Sequence, residues 1–387
     1  MSAPVPITSQ AARVRSGSRP KLREITLDDF SAIASFTERF GFDPLRSRAE
    51  WEHLWVTNPA NIANGMRCPI GWILEAEGRM IGHIASVPTQ YRLGDRQLLA
   101  ASGRAWAVLE EYRGYGSLML HTYLNQPGID FAVTNTANAV SWHVHSELGA
   151  KAVPAGRFDI SPAWITRYTD VMADFVARKK NVRPPRMLFY PLAGALAAKD
   201  SWNRLQVNLR ARRDIDIAVQ FAFDQRFEHF WKWLCARYPD KLLANRNLTT
   251  LDWHFHYAMA EGRFWVATAT REQQLLGYAI FVRDSYRTAG SSISRVVLAD
   301  YQSLEHDEGI YFALLQSGLE KCRRDGIALL VANGLSASGT DMSKFAPYRR
   351  TLECPRFLYK AADPELAKLL AGPGPWCPSA YDADDTL

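Results

Sequence analysis

The sequence predicts an α+β protein built from two similar halves, each with a central, mostly antiparallel mixed sheet flanked by helices. Three observations predict it. A strand hairpin, a third strand and a helix follow one another from residue 72. The same order of elements recurs from residue 265. In addition, GIDFAVTN at 128–135 matches GIALLVAN at 326–333 in four of eight positions, and this offset of 198 residues indicates a duplicated domain rather than a short repeat.

Periodicity and turn residues place the elements of the first half. A strand at 21–27 precedes helices at 28–42 and 47–57, and the second helix has the capping-box spacing of Ser47 and Glu50. Alternating apolar residues between glycine-bearing turns then predict further strands and helices. The strands are expected at 72–76, 80–93, 97–108 and 128–133, and the helices at 117–124 and 138–148.

The second half repeats this order, with Gly277 in the position of Gly82. Strands are expected at 215–223, 265–269, 276–282 and 294–299, and helices at 227–238 and 309–322. Between the halves, residues 164–177 favour a helix. The expected limits are a disordered tail at 1–20, a first domain at 21–161, a connecting region at 162–213, a second domain at 214–365 and a C-terminal tail at 366–387.

Composition narrows the class of protein. The 387 residues are 47% hydrophobic and 22% charged, with a net charge of +6 that favours anionic partners. The five cysteines are scattered without a CxxC spacing, which predicts neither a structural zinc site nor a disulfide framework. No apolar run reaches the ~18 residues of a membrane span, and the first twenty residues lack a signal core, a transit peptide being the alternative. We therefore expect a cytoplasmic protein without a membrane partner.

The stretch AWAVLEEYRGYGSLML at 105–120 carries the chemistry. A strand ends at Val108, and a turn with Gly114 and Gly116 opens a helix. Glycine allows the backbone to turn sharply beside a ligand. The first amides of a helix lack internal partners and carry the positive end of its dipole. The turn therefore predicts a site for a phosphate or diphosphate.

Here the chain resembles the GNAT superfamily of acyl-coenzyme A-dependent N-acetyltransferases, whose signature is Arg/Gln-x-x-Gly-x-Gly/Ala. Arg113 and Gly116 match the first two fixed positions, and Leu118 stands where glycine or alanine is usual. The resemblance implies that coenzyme A lies along the strand ending at Val108. Its diphosphate would meet the backbone of residues 113–118, which are Arg113, Gly114, Tyr115, Gly116, Ser117 and Leu118.

A second family element follows downstream. The family pattern Asn-x-x-Ala-x-x-Leu-Tyr-x-x-x-Gly-Phe is matched by Asn138 and Gly149, with His145 at the tyrosine position. By resemblance, Asn138 contacts the cofactor, and His145 would protonate the departing thiolate, since histidine exchanges protons near neutral pH. The backbone N–H of Ala107 or Val108 would stabilise the oxyanion. The co-substrate would be acetyl-CoA or another acyl-CoA, without a metal.

The second half departs from this pattern. Its equivalent junction reads DYQSLEHDEGIY at 300–311, without the paired glycines. Asp307 and Glu308 place negative charge where a diphosphate would lie, and this argues against a second cofactor site. We expect this half to complete the acceptor cleft, with the segment Trp253-His254-Phe255-His256 as a lining.

Several residues carry weaker alternatives. Glu110, Glu111 or His83 would serve as a base, although such acids are more often solvated loop residues. His254 and His256 have the spacing of metal ligands without a third or fourth. The basic run at 178–186 is typical of a solvated linker, so nucleic acid is not the expected partner.

The function expected from these features is acyl transfer from acyl-coenzyme A to a primary amine of a small molecule. Two alternatives stay open. One is an aminoacyl-tRNA-dependent transferase of the Fem type, which also pairs two such domains. The other is a non-catalytic binding protein, favoured by Leu118 and His145. A homodimer is also open.

Overall fold

The structure is a computed structural model. It describes residues 19–42, 47–180, 185–284, 293–334, 336–337 and 340–387. The predicted N-terminal tail up to residue 18, and part of the basic run at 178–186, lie outside the described residues.

The strands are numbered in chain order. They are β1 Lys21–Glu24, β2 Gly71–Ala76, β3 Arg79–Leu93, β4 Arg96–Val108, β5 Phe131–Thr134, β6 Lys151–Ala152, β7 Ile160–Ile165, β8 Asp216–Gln220, β9 Leu242–Ala244, β10 Phe264–Arg271, β11 Gln274–Arg283, β12 Arg295–Ser303, β13 Leu329–Val331, β14 Ser336–Ala337, β15 Thr340–Asp341, β16 Tyr348–Thr351 and β17 Leu358–Ala361.

The helices surround these strands. They are α1 Phe30–Arg39, α2 Arg48–Val56, α3 Pro59–Ala63, α4 Gly116–Leu124, α5 Ala139–Glu147, α6 Tyr168–Lys180, α7 Tyr190–Arg210, α8 Gln225–Arg237, α9 Leu248–Ala260, α10 Glu308–Arg324 and α11 Pro364–Leu370. Short 3₁₀ helices cover Leu27–Asp29, Glu110–Tyr115, Arg186–Phe189, Leu304–His306, Met342–Phe345, Ala380–Asp382 and Asp384–Thr386. No helix of the described chain has the length and apolar character needed to cross a bilayer.

Two large mixed sheets form the molecule. The first has the order β1-β2-β3-β4-β5-β17-β6, with β9 also pairing β3, and the second has the order β16-β7-β13-β12-β11-β10-β8. In each sheet the described neighbours are antiparallel except for one parallel pair, β4 with β5 and β12 with β13. The predicted fold class, two mixed sheets flanked by helices, is confirmed.

The internal duplication is visible in the register of the sheets. Gly82 lies opposite Val108 in the first sheet, and Gly277 lies opposite Ser303 in the second. Each glycine allows the following helix to approach the sheet closely. A Cβ on Gly82 would lie 2.7 Å from the Met119 sulfur atom, and on Gly277 a Cβ would lie 2.8 Å from an Ile310 methyl carbon. The predicted correspondence of Gly82 and Gly277 is therefore confirmed.

The two halves exchange one strand each. β7 belongs to the second sheet, where it pairs β13 and β16, and β17 belongs to the first, where it pairs β5 and β6. The limit expected at 161 falls within β7, and the limit expected at 365 falls within α11. The helix expected at 164–177 begins later, at Tyr168, because Trp164 and Ile165 pair with β13.

The expected C-terminal tail is part of the core. Residues 364–370 form α11, and the chain after it carries the buried aromatic residues Trp376 and Tyr381. These pack in a core cluster that joins Tyr91 and Phe131 of the first sheet to Tyr278 of the second. Because one core spans both sheets, the two halves bury apolar surface together rather than separately.

Candidate functional site

The first sheet opens at the parallel strands β4 and β5. The two strands pair only from Ala100 to Ser102, whereas β4 continues to Val108. Beyond Ser102 the strands diverge, and the edge of β4 that faced β5 has no neighbouring strand among the described residues. Backbone donors and acceptors along this edge are free to bind an extended ligand.

The ladder between β3 and β4 indicates which amides face this opening. The N–H of Leu109 donates to the Ile81 carbonyl at 2.8 Å, so that pair is hydrogen-bonded. Hydrogen-bonded pairs alternate in an antiparallel ladder. The Ala107 N–H is therefore directed to β3, and the Val108 N–H is directed to the open side. Of the two oxyanion donors expected from sequence, this geometry favours Val108.

A bulge in β4 shapes the opening. The register moves from His83 opposite Ala107 to Ala85 opposite Arg104, so β4 carries one extra residue between these pairs. Within the bulge Ala105 has φ of 52°, a left-handed conformation that is unfavourable for a residue with a Cβ atom. Bulges re-aim side chains beside active sites. Here the bulge turns the Ala105 carbonyl toward His83.

His83 is held in one tautomer at this bulge. Its side chain is 98% buried, being only 2% exposed, and Nδ1 lies 3.0 Å from the Ala105 carbonyl oxygen, to which it donates. Nε2 is therefore the unprotonated nitrogen, and it is buried without a hydrogen-bond partner among the described residues. Burial, aided by the charge of Arg104, lowers the pKa of His83 to about 4. At neutral pH the ring is thus a neutral acceptor.

The glycine turn expected to bind a diphosphate is a 3₁₀ helix, Glu110–Tyr115, which runs directly into α4. Its Gly116 N–H donates to the Arg113 carbonyl, so this amide already has an internal partner. Tyr115 provides no side-chain cap for α4. A Cβ on Gly114 would meet no other atom within 4 Å, which leaves that face of the turn open.

The side chains around this turn are solvent-facing. Arg113 forms an exposed ion pair with Glu110 at 3.5 Å. Ser117 is exposed and Leu118 is 48% exposed, so Leu118 does not fill a buried seat behind the turn. Exposed ion pairs contribute little free energy. The Arg113 guanidinium can therefore leave Glu110 and bind an anionic ligand instead.

The helix after the opening carries the remaining predicted residues. Asn138 caps α5, its side-chain oxygen accepting from the Ser141 N–H at 2.9 Å. His145 is buried, and its Nδ1 donates to the Ser141 carbonyl at 2.7 Å. Burial lowers the pKa of His145. In neutral His145 the proton is on Nδ1 and is already donated to the Ser141 carbonyl. To act as an acid, His145 would need a second proton, and burial disfavours the resulting charged ring.

The Trp106 side chain projects from β4 toward α4 and α5. Its ring meets the His145 ring at 5.8 Å in a perpendicular arrangement, and a Cβ on Gly116 would lie 3.3 Å from it. The indole Nε1 is buried and has no hydrogen-bond partner in the described chain. A buried N–H without a partner is costly.

A cleft of about 600 Å³ adjoins the opening and is formed by both halves of the molecule. His83, Arg104 and Ala105 reach it from the first sheet. Of the expected lining segment, Trp253, His254 and Phe255 lie on the wall of this cleft. The cleft also contains residues of the C-terminal segment, which are Asp384, Asp385, Thr386 and Leu387.

The C-terminal segment is fixed against β5 and the residues after it. Asp384 accepts hydrogen bonds from the Thr134 hydroxyl at 3.0 Å and the Asn135 N–H at 2.9 Å, and from the Thr136 hydroxyl. Next to it, Asp385 is half-buried in the cleft. Burial and the neighbouring Asp384 charge raise the pKa of Asp385 to about 6.

A buried ion-pair cluster anchors this segment to the second sheet. Arg246 donates to Asp300 at 2.8 Å and to Asp382 at 2.7 Å, and Ser379 bonds Asp300 as well. Breaking such a pair leaves an uncompensated buried charge. Sequence reasoning missed this cluster because its members are 54 and 136 positions apart, without a local pattern.

The structure shows where the residues of the weaker alternatives lie. Glu110 and Glu111 are exposed on the 3₁₀ helix, away from the buried opening. His254 bonds the Thr386 hydroxyl through Nε2 at 2.8 Å, and His256 stacks on His53. Among the residues that the structure covers, no three His, Cys, Asp or Glu side chains are arranged to hold a metal ion.

Solved structures resemble most of this chain. Two GCN5-related N-acetyltransferases, from Anabaena variabilis and Kribbella flavida, superpose with TM-scores of 0.50 and 0.50 at 11% and 13% identity. A conserved Enterococcus faecalis protein of unknown function, a probable N-acyltransferase, superposes with a TM-score of 0.52 at 11% identity. These matches cover 89% of this chain and 73%, 71% and 73% of the three neighbours.

No protein-family model matches the sequence, and no curated protein does either. At such identities the likeness concerns the fold. The chain has the GCN5-related N-acetyltransferase fold, in the two-domain form expected from sequence.

Proposed function

Starting from this fold, we propose that the protein is an N-acyltransferase that moves an acetyl or other acyl group from acyl-coenzyme A to the primary amine of a small molecule. The observation that carries the proposal is the open edge of β4, which lies beside a helix without a side-chain cap and leads into a two-sided cleft. An extended thioester carrier with a diphosphate fits an arrangement of this kind.

The residues around the opening fit coenzyme A. The free edge of β4 offers backbone groups to an extended pantetheine arm, and the buried Trp106 N–H lacks a partner that an amide carbonyl would provide. The exposed Arg113 and the amides of residues 114–118, except the Gly116 N–H that is bonded to the Arg113 carbonyl, would hold the diphosphate. Bound there, coenzyme A supplies an activated acyl thioester.

The chain's own groups would assist amine attack in two ways. The Val108 N–H, directed to the open side, would donate to the carbonyl oxygen as negative charge develops on it. His83 would accept the proton that the amine nitrogen loses, because the residue lines the cleft and its buried Nε2 is unprotonated, without a partner among the described residues. Because burial lowers the pKa of His83 to about 4, the imidazolium would be short-lived and would pass this proton on to the departing thiolate.

The acceptor would enter through the cleft between the halves. Asp385 lies in this cleft, and a carboxylate there would attract a protonated amine before it loses its proton. A cleft of about 600 Å³ has the size of typical small-molecule sites, which favours a small acceptor over a macromolecule.

Calorimetry with acetyl-coenzyme A on the full chain tests the first half of the proposal. We expect one binding event per chain. A panel of small amines, amino sugars and amino acids with a thiol-release readout then tests transfer, and release should depend on the amine. Absence of binding would overturn the assignment. Binding without release on any amine would favour a non-catalytic binding protein, and co-purified tRNA without coenzyme A binding would favour the Fem-type alternative.

A further inference from the structure

Helix α7 has two apolar faces, and only one of them is covered. On the covered face Ala193 and Val207 are buried, and Val207 packs in a core cluster with Ile310 of α10. On the opposite face Trp202, Leu205 and Leu209 are 64%, 45% and 62% exposed. A helix with apolar side chains on two opposite faces normally buries each of these faces against a neighbour. The outer face of α7 therefore lacks a partner within the described chain.

The outer face follows a narrow repeat. Its six residues are separated alternately by four and three positions, which is the spacing of a helix-pairing seam rather than of a broad amphipathic face. They are Pro191, Ala195, Ala198, Trp202, Leu205 and Leu209. The seam extends over most of a helix of 21 residues.

Large and small residues are distributed unevenly along this seam. The three large side chains lie in the C-terminal half of α7, and Pro191, Ala195 and Ala198 lie in the N-terminal half. If a second α7 ran antiparallel about a two-fold axis at Asp200, Trp202 would face the partner's Ala198. Leu205 would likewise face the partner's Ala195. Each large side chain would then meet a small one, which is the complementarity that close helix packing needs.

We propose that the outer face of α7 binds the same face of a second copy of this chain, antiparallel and two-fold symmetric. Further exposed apolar residues flank the seam at Phe175, Met187 and Leu188. Covering these six large apolar side chains would remove on the order of 650 Å² per copy from water, close to the ~800 Å² per partner of a standard stable interface.

The charge around the outer face of α7 is compatible with one other binding partner, an anionic lipid surface. The acids of α6 and α7 are all turned inward, since Asp170 and Asp174 pair with arginines and Asp200 accepts from the Tyr168 hydroxyl at 2.6 Å. Outward charge is therefore basic, at Lys179 and Lys199 among others, which would also suit an anionic lipid surface. A lipid surface requires neither the narrow spacing nor the large-to-small arrangement, and so we favour the second copy.

Sedimentation velocity of the full chain tests the proposal. The wild-type protein should sediment as a dimer at micromolar concentration. Trp202→Glu should weaken the dimer at least ~30-fold, because it places a charge at the centre of the seam. Leu369→Glu is the matched control, since Leu369 is an exposed leucine on another helix, and it should leave the dimer unchanged.

A residue swap tests the pairing itself. Ala198→Trp alone should oppose two tryptophans, and Trp202→Ala alone should leave a gap, so both should dissociate the dimer. The double variant restores one large and one small residue at each contact and should recover it. A monomeric wild type would overturn the proposal. A double variant that fails to recover the dimer would also overturn it. The lipid surface would be favoured instead if no dimer formed and if wild type and Leu369→Glu, but not Trp202→Glu, sedimented with vesicles containing phosphatidylserine.

Discussion

The two strand-to-helix junctions occupy equivalent places in their sheets and differ in what meets the first amides of the helix. In the second half, Asp307 caps α10, its carboxylate accepting from the Gly309 N–H at 2.7 Å and the Ile310 N–H at 3.2 Å. Arg212 pairs with the same carboxylate. In the first half, Tyr115 occupies the capping position of α4 without a side-chain hydrogen bond.

The strands behind the two junctions differ in the same sense. The register places Tyr278 where His83 lies in the first half, because Gly277 corresponds to Gly82. Tyr278 bonds the buried Asp300 at 3.2 Å, whereas Nε2 of His83 has no partner in the described chain. At this pair of positions the second half satisfies its polar group internally, whereas the first half leaves an acceptor without a partner among the described residues.

The largest expected effect comes from giving the first junction a carboxylate of its own. Gly116→Asp should weaken acetyl-coenzyme A binding at least ~100-fold, because negative charge at the helix start repels the diphosphate and competes for the same amides. Calorimetry measures the loss.

Two variants separate charge from shape in that experiment. A Cβ on Gly116 would lie 3.3 Å from the Trp106 ring, so some of the loss could be steric. Ser117→Asp places the charge on an exposed residue one position later and should also weaken binding. Gly372→Asp, where a Cβ meets nothing within 4 Å, should have no effect. Unchanged affinity in Gly116→Asp would remove the main support for the cofactor site.

How far the sequence predicts these features depends on how local their cause is. The capping of α2 by Ser47 was predicted correctly, since the Ser47 hydroxyl accepts from the Glu50 N–H at 3.1 Å. The glycine turn was placed at the right junction, although as a 3₁₀ helix with one amide internally bonded.

Features with distant causes could not be predicted. The sequence around Trp164 predicts a helix because the segment of alternating apolar and polar residues there is short. Only its pairing with β13 makes this segment a strand. The C-terminal segment contains several acids and small residues and thus looks like a tail. Its order depends on Arg246 and Asn135, which lie far away in the sequence.

The second prediction concerns the unpaired imidazole. His83→Phe should lower kcat at least ~100-fold and leave acetyl-coenzyme A affinity within about threefold, because a base acts on the proton and not on binding. Steady-state kinetics together with calorimetry resolve the two parameters.

Two other histidines serve as comparisons for His83→Phe. His143 is exposed on α5, and its replacement by Phe should change neither parameter. His145→Phe should lower kcat less than ~10-fold, because its Nδ1 proton is already donated to Ser141. A larger loss from His145→Phe than from His83→Phe would reverse the assignment and restore His145 as the acid expected from sequence.

The same burial makes the first half sensitive to acid. The pKa of His83 is lowered to about 4 in the folded protein, below the usual value near 6.5, so protonation favours the unfolded chain. Above pH ~6.5 His83 is neutral in both the folded and the unfolded chain, and the free energy of unfolding is at its full value. As the pH falls toward 4, only the unfolded chain binds the proton, and the free energy of unfolding decreases. Urea unfolding at pH 7 and pH 5 should show wild type losing about 2 kcal/mol more than His83→Phe. Equal losses would show that His83 is not the buried neutral group described here.

The smallest effect is expected at the second junction. Asp307→Ala removes the cap of α10 and should destabilise the protein by about 1 to 2 kcal/mol in urea unfolding. Asp363→Ala, which removes the cap of α11, is the matched control for a lost cap elsewhere. Neither change should alter acetyl-coenzyme A affinity, and binding should stay at one per chain, because Tyr278 and Asp300 still occupy the space behind the second junction. A second binding event in Asp307→Ala would mean that the Asp307 carboxylate alone distinguishes the two halves.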